Sequence, residues 1–293
     1  MQDFFTYFNM PSKEVFSYII HSLQAVYEER EAQNIAFLLI AFLYQMKKRD
    51  ILLNREISDS QYNAKNLDAF IYRLQQHEPI QYVLGEAHFY GLDLLVTPEV
   101  LIPRPETEEL VHLIIQENRH ISSLNVLDIG TGSGCIPITL SKYLKNAQIH
   151  AIDISQEALA IAQKNAQANE AHIIFHQFDI LSSDLEALPL FDIIVSNPPY
   201  IREIEKKYMQ ANVLRYEPIQ ALFVPDNQPL LFYERIAMLA SKRLKKGGRL
   251  YFEINENFGK QVTDQLLSLH FKEVKTFKDL QGKDRIVRGN LSF

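Results

Sequence analysis

The spacing of apolar and polar residues divides the chain into a helical first part and an alternating second part. Up to about residue 78, apolar side chains recur at helical spacing and glycine is scarce. This pattern is typical of packed amphipathic helices. The predicted helices cover residues 11–30, 32–46 and 64–77.

A different pattern covers residues 79–105. Gly85 and Gly91 flank a short aromatic stretch, and residues 92–96 form a strand-like apolar run. We interpret this stretch as a hairpin that links two domains.

Strand-like and helix-like segments alternate beyond residue 105. The predicted strands are 125–129, 148–152, 172–177, 191–195 and 249–254, and the predicted helices are 106–118, 134–144, 155–168, 229–245 and 259–269. Continuous apolar strands separated by helices indicate an α/β fold with a mainly parallel sheet covered on both faces. The last two apolar stretches, 272–277 and 284–289, are separated only by a loop, so we expect the sheet to end in an antiparallel hairpin.

The length of the chain agrees with this division. At roughly 150 residues per domain, 293 residues predict about two domains. We divide the chain into a helical domain at 1–78, a hairpin linker at 79–105 and an α/β domain at 106–293.

Composition excludes several classes of protein. Hydrophobic residues make up 47% and charged residues 23%, which is an ordinary globular balance. The single cysteine, Cys135, excludes a disulfide framework and a cysteine-rich zinc site, and we interpret it as a small helix residue. The net charge of -6 argues against a protein that lives on bare nucleic acid or on an anionic membrane.

The sequence also predicts a cytoplasmic protein. Its start carries Asp3 and no Lys or Arg in the first ten residues, unlike a secretory signal. The longest apolar run is residues 35–44, and a transmembrane helix needs about 20 residues.

A glycine-rich turn follows the strand at 125–129. The turn contains Gly130, Thr131, Gly132, Ser133 and Gly134. Glycines allow a tight turn and let a ligand lie against the main chain. The third glycine comes one residue too early for the dinucleotide fingerprint, and no Lys follows as in a phosphate-binding P-loop.

Two acidic positions accompany this turn. Asp153 stands at the end of the next strand, 19 residues after Gly134, where a carboxylate can accept hydrogen bonds from both ribose hydroxyls of a nucleoside. The pattern resembles motif I of the class I methyltransferases, which bind S-adenosylmethionine. The resemblance implies that Asp179 and Ile180, after the third strand, meet the adenine; an ordinary loop acid is an equal alternative for Asp179.

The segment Asn197-Pro198-Pro199-Tyr200 follows the strand at 191–195. The two prolines hold a rigid loop that is rich in carbonyl groups. The side chain of Asn197 and the carbonyl of Pro198 offer two acceptors, which together select a planar NH₂ group. Tyr200 can stack on that group. The carboxyl ends of parallel strands are where open α/β sheets bind ligands.

Methylation of an amide fits this arrangement. An amide nitrogen is a poor nucleophile, and acceptors that bind its N–H bonds more strongly as positive charge develops stabilise the transition state. Positioning carries much of the acceleration, and no strong base is required. His172 and His176 lie on a predicted strand rather than in a helical metal-binding pair, so we expect no metal. Glu253 is interpreted as a structural charge.

Further stretches resemble the release-factor glutamine methyltransferases, the PrmC/HemK family, over nearly the whole chain. They are residues 79–85, 89–91, 100–108, the glycine turn, residues 197–200 and Asp284-Arg285. The segment Ile102-Pro103-Arg104-Pro105-Glu106-Thr107-Glu108 is specific, whereas the segment at 197–200 is shared with adenine N6 methyltransferases.

The resemblance implies a helical N-terminal domain, a hairpin linker and a class I methyltransferase domain with a Rossmann-like seven-stranded sheet. It implies S-adenosylmethionine as cofactor and, as substrate, the glutamine of the Gly-Gly-Gln motif in class I peptide-chain release factors, methylated on N5. Residues 130–134, Asp153, Ile180 and Asn197 would contact the cofactor. Asn197, Pro198, Pro199 and Tyr200 would hold the glutamine. Arg104 and Glu106 would shape the entrance of the site.

One departure from the family pattern is visible. Where the family has Glu-x-Gly, this chain has Glu253-Ile254-Asn255. Because asparagine also tolerates left-handed backbone angles, we expect the turn to be retained.

Three alternatives remain open on the sequence. An adenine N6 methyltransferase of DNA or RNA would need a basic surface for phosphates. The main basic cluster, residues 242–249, lies at a predicted helix end, where cations complement the helix dipole. A ribosomal-protein glutamine methyltransferase shares the segment at 197–200. A non-catalytic cofactor-binding or scaffold protein would show a broken motif, and both motifs are intact.

Overall fold

The computed structural model describes residues 10–57 and 61–292, with the backbone only for residues 61–65. Residues 1–9, on which the expectation of no secretory signal rests, lie outside the described residues. Within the described part, no helix is both long enough and apolar enough to cross a bilayer.

The chain forms two compact units. The first comprises Met1–Gly85 together with Ala211–Tyr216, and the second comprises Glu86–Gln210 and Glu217–Phe293. The division therefore falls after the short helix that ends at Leu84, and one distant segment joins the first unit.

The first unit is mainly helical. Its elements before residue 85 are β1 (Met10–Pro11), α1 (Ser12–Leu23), α2 (Glu29–Tyr44), α3 (Lys48–Leu52), β2 (Glu56–Ile57), α4 (Gln61–Gln75) and α5 (Ile80–Leu84). The structure ends the first helix at Leu23, not at residue 30. The sequence pattern missed this end because Val26 and Tyr27, in the turn, are apolar too, and the Tyr27 hydroxyl is held by the distant carbonyl of Leu74 at 3.0 Å.

Helical spacing builds the core of this unit. Val15, Ile19 and Leu23 follow each other at four-residue intervals on α1 and are fully buried, as is Leu39 on α2. Side chains four residues apart share one face of a helix, so each helix presents an apolar stripe to the others.

The segment Ala211–Tyr216 belongs to the first unit because of contacts that no local pattern predicts. The Tyr216 hydroxyl donates to the carbonyl oxygen of Gln76 at 2.9 Å, and Arg215 reaches the same oxygen at 3.5 Å. The segment lies more than 130 residues from Gln76, so only the folded chain brings these groups together.

The second unit begins with a hairpin and continues as an α/β domain. In chain order its elements are β3 (Glu86–Phe89), β4 (Leu92–Leu95), α6 (Pro105–Asn118), β5 (Asn125–Ile129), α7 (Cys135–Tyr143), β6 (Gln148–Asp153), α8 (Gln156–Ala168), β7 (Ile173–Gln177), β8 (Phe191–Ser196), β9 (Ile201–Arg202), a 3₁₀ helix (Glu203–Tyr208), another 3₁₀ helix (Ile219–Ala221), β10 (Phe223–Val224), α10 (Leu231–Arg243), β11 (Leu244–Glu253), α11 (Gly259–Ser268), β12 (Phe271–Lys278) and β13 (Asp284–Leu291). The helix α9 (Ala211–Tyr216), between the two 3₁₀ helices in sequence, is the segment that belongs to the first unit. The hairpin is antiparallel, and Asn165 of α8 joins it to the α/β domain through hydrogen bonds with the N–H and the carbonyl of Leu95.

A seven-stranded sheet organises the second unit. Its order is β12-β13-β11-β8-β5-β6-β7. The pairs from β11 to β7 are parallel, whereas β13 runs antiparallel to both β11 and β12. The predicted fold class, a mainly parallel Rossmann-like sheet that ends in an antiparallel hairpin, is confirmed.

Both faces of the central strands are buried, which explains why these strands are continuously apolar. On β11, Leu250 and Phe252 pack with α10 and α11, whereas Tyr251 between them packs with α6 and α7 on the other face. Because successive side chains of a strand point to opposite faces, a strand covered on both sides needs apolar residues at every position.

Two adjacent leucines of α2 allow a test of the helical core. Leu39 is fully buried and Leu38 is 48% exposed. Leu39→Ala should lower the free energy of unfolding of the first unit by about 2–5 kcal/mol through lost burial and a cavity. Leu38→Ala, the matched control, should change it by less than about 0.5 kcal/mol. Urea denaturation followed by circular dichroism measures both, and equal effects would contradict the assigned faces of α2.

Candidate active site

The site lies where the strand order reverses. The chain runs from β5 outward through β6 to β7 and then returns to place β8 on the other side of β5. Ile129 and Ser196, the last residues of β5 and β8, are paired, and the Ser196 hydroxyl donates to the Ile129 carbonyl at 2.7 Å. Gly130 and Asn197 therefore begin two adjacent loops at such a switch point, the usual ligand crevice of open α/β sheets.

The glycine turn needs its glycines for two different reasons. Gly130, Gly132 and Gly134 have φ angles of 76°, 52° and 81°, in the left-handed region that favours glycine. A Cβ at Gly130 or Gly132 would meet no atom within 4 Å, whereas one at Gly134 would lie 3.1 Å from the Cβ of Ala162. The first two glycines thus leave open space, and the third allows α7 to pack closely on α8.

Asp153 links the glycine turn to the end of β6. Its Oδ2 accepts a hydrogen bond from the Gly132 N–H at 2.8 Å, and its Oδ1 accepts one from the Ser155 N–H at 3.0 Å. Burial raises the pKa of Asp153, and these backbone N–H groups partly offset the shift. Each carboxylate oxygen has more than one lone pair, so Asp153 can still accept hydrogen bonds from a ligand.

Most of the predicted residues line one cavity of about 220 Å³. Those that line it are Gly130, Gly132, Asp153, Asp179, Ile180, Asn197, Pro198 and Pro199. Thr131, Ser133, Gly134 and Tyr200 do not line it. Thr131 and Ser133 are buried, and the Ser133 carbonyl accepts a hydrogen bond from Asn165, so their place is within the turn itself.

The loop after β7 is held from both ends. The side chain of Asp179 accepts hydrogen bonds from the Leu181 N–H and the Ser182 hydroxyl, at 2.9 and 3.0 Å. Arg235 of α10 donates to the carbonyls of Ile180 and Ser183 at 2.9 and 2.6 Å. No sequence pattern points to Arg235, because its contacts with this loop span more than 50 residues.

Phe178 also lines the cavity, beside Asp179 and Ile180. The sequence analysis did not name this aromatic residue. Its position directly before Asp179 and Ile180, two predicted site residues, could have indicated that it lines the same site.

A hydrogen-bond chain lies behind the segment at 197–200. Asn197 Nδ2 donates to Thr107 Oγ1 at 3.2 Å, and the Thr107 hydroxyl donates to Glu253 Oε2 at 2.6 Å. The Tyr200 hydroxyl donates to the other oxygen of Glu253 at 3.3 Å. Among the described residues, none donates a hydrogen bond to Asn197 Oδ1 or to the Pro198 carbonyl.

Glu253, interpreted from the sequence as a structural charge, has specific hydrogen-bond partners beside the segment at 197–200. It is 1% exposed at the end of β11. Burial raises its pKa, while the Thr107 hydrogen bond, the Arg285 guanidinium and the Tyr200 hydrogen bond lower it. The sequence singled out the segment that contains Thr107 only through its family resemblance and assigned that residue no role.

The turn at Asn255 is retained, as expected, but it does not use a left-handed backbone at that residue. Its φ angle is not positive. Instead, Asn255 Oδ1 accepts a hydrogen bond from the Asn257 N–H at 3.0 Å, and Nδ2 donates to the Tyr200 carbonyl at 3.4 Å. The side-chain amide therefore stabilises the turn without a left-handed backbone and ties it to the segment at 197–200.

Arg104 anchors a segment that lines the cavity. It donates to both oxygens of Glu217 at 2.7 Å, and the Glu217 side chain is 1% exposed. Pro218, Gln220 and Ala221, which follow Glu217, line the cavity, although Arg104 and Glu106 do not. Arg104 thus acts on this wall through an ion pair in which one guanidinium nitrogen contacts both carboxylate oxygens.

Two further buried groups lie beneath the glycine turn. Asp128, the fourth residue of β5, is fully buried, and burial raises its pKa to about 7. The Thr131 hydroxyl is near enough to lower that pKa, although neither side chain has a hydrogen bond of good geometry within the described chain. Burial, followed by the field of Asp128, raises the pKa of Cys135 to about 12, so this thiol stays protonated.

The two histidines considered from the sequence are separated in the structure. His172 is exposed before β7, whereas His176 Nε2 lies 3.1 Å from Nδ1 of His150. Across residues 10–57 and 61–292, no three His, Cys, Asp or Glu side chains form a group that could hold a metal.

Two protein-family models match the chain. The PrmC N-terminal domain matches residues 14–85, and the Methyltransferase small domain matches residues 107–222. The second match includes the glycine turn, Asp153 and the segment at 197–200.

Solved structures resemble the fold at low sequence identity. A methyltransferase from Pyrococcus furiosus has a TM-score of 0.53 and 17% identity, over 78% of this chain and 100% of that one. A 16S rRNA methyltransferase from T. thermophilus, in complex with AdoMet and guanosine, has a TM-score of 0.50 and 18% identity, over 70% of this chain and 49% of that one. Likeness at these identities concerns the fold alone.

Curated relatives are similar over nearly the whole chain. A protein from Flavobacterium psychrophilum is 45% identical over 274 residues, 92% of this chain and 96% of its own. One from Bacteroides thetaiotaomicron is 47% identical over 94% of this chain and 98% of its own, and one from Bacillus subtilis is 35% identical over 94% and 97%. All three are named release factor glutamine methyltransferase. These similarities confirm the resemblance seen in the sequence: the chain belongs to the release factor glutamine methyltransferase family.

Proposed function

We propose that this protein transfers a methyl group from S-adenosylmethionine to the side-chain amide nitrogen, N5, of the glutamine in the Gly-Gly-Gln motif of class I peptide-chain release factors. The reaction would serve translation termination in the cytoplasm. The observation that carries the proposal is the meeting of the glycine turn and the segment at 197–200 in one cavity, with both acceptors of the amide-binding pair free of hydrogen bonds from the described residues.

The cavity fits the cofactor. The open space beside Gly130 and Gly132 lets a ligand lie against the main chain, and Asp153 offers carboxylate oxygens at the end of β6. Phe178 and Ile180 offer apolar surface for an adenine ring, and Asp179, which lines the same cavity, would meet its exocyclic amine. We assign cofactor binding to Gly130, Thr131, Gly132, Ser133, Gly134, Asp153, Asp179, Ile180 and Asn197. When bound, S-adenosylmethionine supplies an electrophilic methyl group on a positively charged sulfur.

The segment at 197–200 is assigned to the substrate. Asn197 Oδ1 and the Pro198 carbonyl would each accept one N–H of the glutamine amide. As the nitrogen gains positive charge, both hydrogen bonds strengthen, so they stabilise the transition state more than the ground state. Pro199 keeps the loop rigid. For Tyr200 the predicted stacking on the amide stays a prediction, since in this structure its hydroxyl binds Glu253.

Nucleic acid is a weaker candidate because three of the five cations in the main basic cluster are engaged in internal contacts. Arg243 donates to the carbonyls of Leu188 and Pro189. Lys245 pairs with Asp192 at 2.7 Å, and Arg249 donates to Asn118 at 2.8 Å. Phosphate binding needs free cations on a surface, and these three are already paired. We therefore propose no stable binding of nucleic acid, and no membrane association.

We assign recognition of the release factor to the helical domain that the sequence places at residues 1–78. A single glutamine side chain provides little binding energy, so a second surface has to supply the remainder. Large apolar side chains are exposed in this part of the chain, including Leu52, Leu53 and Tyr72. Exposed apolar side chains of this size offer contact area for a protein partner.

Asp153→Ala should weaken the binding of S-adenosylmethionine about tenfold or more, because charge-assisted hydrogen bonds contribute about 1.5–3 kcal/mol. The substitution also releases the Gly132 N–H that Asp153 holds. Isothermal titration calorimetry measures the affinity. Asp264→Ala is the matched control, since Asp264 is exposed and pairs with Lys260 of the same helix. Unchanged affinity in a folded Asp153 variant would refute the assignment.

Asn197→Ala should lower turnover by about 10²–10³-fold, by analogy with the loss of one oxyanion-hole donor. Cofactor affinity should fall less, because the lost acceptor tightens only in the transition state. Steady-state kinetics and calorimetry separate the two effects. Asn169→Ala, at the end of α8, removes an asparagine that bonds to backbone carbonyls and should leave turnover unchanged. Turnover of the Asn197 variant within a few-fold of the parent would contradict the amide clamp.

Incubation with a class I release factor and labelled cofactor should add one methyl group to the Gly-Gly-Gln glutamine, located by mass spectrometry of peptides. DNA and free RNA should stay unmodified. If the helical domain recognises the factor, the whole factor should have a kcat/KM at least about tenfold above that of a short Gly-Gly-Gln peptide. Methyl-adenine in nucleic acid with an unchanged release factor would support the adenine N6 methyltransferase alternative. Label in a ribosomal protein would support the ribosomal-protein glutamine methyltransferase alternative.

A further inference from the structure

A buried carboxylate stands behind the segment at 197–200 and holds the side chains of Tyr200, within that segment, and of Thr107, on α6. Glu253 is 1% exposed and accepts hydrogen bonds from Thr107 and Tyr200, one on each oxygen. A carboxylate out of water needs such donors, since an uncompensated buried charge is costly. Glu253 therefore fixes the direction in which the two hydroxyl groups point.

The direction of the Thr107 hydroxyl determines what it offers to Asn197. A hydroxyl has one proton to donate and lone pairs to accept with. The proton of Thr107 is directed to Glu253 Oε2 at 2.6 Å, so towards Asn197 the same oxygen can only accept. Asn197 meets this requirement with Nδ2, at 3.2 Å.

The amide of Asn197 is planar, and its two ends have nearly the same shape. Only the polarity of its hydrogen bonds distinguishes the two orientations. With Nδ2 engaged by Thr107, Oδ1 is the end left for the substrate. In the reversed orientation, Nδ2 would face the NH₂ group of the substrate, and two donors would oppose each other.

We infer that Thr107 and Glu253 are positioning residues, which set the orientation of the Asn197 amide so that Oδ1 is presented to the substrate NH₂ group. This inference rests on the proposed function, because it assigns the relay to the amide-binding step. It gives Thr107, on α6, and Glu253, on β11, a joint task that neither residue performs by touching the substrate.

A double-mutant cycle tests the relay. Thr107→Val keeps the shape of the side chain and removes the hydroxyl. It should lower kcat about tenfold or more, the effect of leaving one buried polar group unpaired, while the affinity for S-adenosylmethionine is retained. Thr107→Ser, which restores the hydroxyl, should recover most of the activity. Thr139→Val is the matched control, because Thr139 is fully buried but donates within its own helix to the Cys135 carbonyl.

The decisive comparison is made in the Asn197→Ala background. If Thr107 acts through Asn197, adding Thr107→Val there should change kcat by less than about twofold, since coupled residues are not additive. Equal losses in both backgrounds would show a merely structural effect and overturn the inference. A parent-like kcat of the single variant Thr107→Val, in which Asn197 is retained, would also overturn the inference. An inactive parent enzyme would instead refute the proposed function.

A second variant keeps the inference testable if Thr107→Val does not fold. Glu253→Leu removes both acceptors and adds no donor, which would free the Thr107 proton to turn towards Asn197 and reverse the amide. Its kcat should fall at least about tenfold, with cofactor affinity retained. Parent-like kcat in this variant would overturn the inference.

Discussion

The parallel pairing of β5 with β8 is the constraint on which the rest of the site depends. It aligns Ile129 with Ser196, so the loops that follow begin side by side at the carboxyl edge of the sheet. One loop turns through left-handed glycine conformations, and the other is stiffened by two prolines. The Asp153 carboxylate holds the glycine turn through the Gly132 N–H, so both loops are constrained where they begin. Rigid elements hold reacting groups in place better than mobile ones.

Two carboxylates lie at this edge, Glu253 fully buried and Asp153 half-buried, and each accepts hydrogen bonds from different neighbours. Asp153 holds the N–H groups of the glycine turn and of the residue that caps α8, while Glu253 holds the hydroxyls of Thr107 and Tyr200. Burial raises the pKa of both groups, and donors around them offset part of that cost. Perturbed carboxyl groups concentrated in one crevice are typical of functional sites.

The chain that follows the segment at 197–200 leaves the second unit and then returns to it. After Tyr200 it forms a 3₁₀ helix, contributes Ala211–Tyr216 to the first unit, and returns at Glu217, where Arg104 anchors it. The residues that follow Glu217 then line the cavity. The same short stretch thus belongs partly to the helical unit and partly to the wall of the site, so the proposed recognition of a release factor and the proposed chemistry share one piece of chain.

The sequence by itself determined the class of fold and the two loops of the site. Strand–helix alternation requires a covered parallel sheet, the glycines require a tight turn, and the residues at 197–200 offer two acceptors at a strand end. Local pattern carries these features because each depends on neighbouring residues. Only the tertiary structure decided where the first helix ends, at Leu23, and that residues 211–216 belong to the first unit. It also decided the hydrogen bonds of Arg235 to the loop after β7, and the hydrogen-bond chain that joins Glu253, Thr107 and Asn197. These depend on hydrogen bonds between residues about 50 to 150 positions apart, which no spacing rule encodes. Asn255 likewise donates to the Tyr200 carbonyl, 55 positions away, and does so without a left-handed backbone.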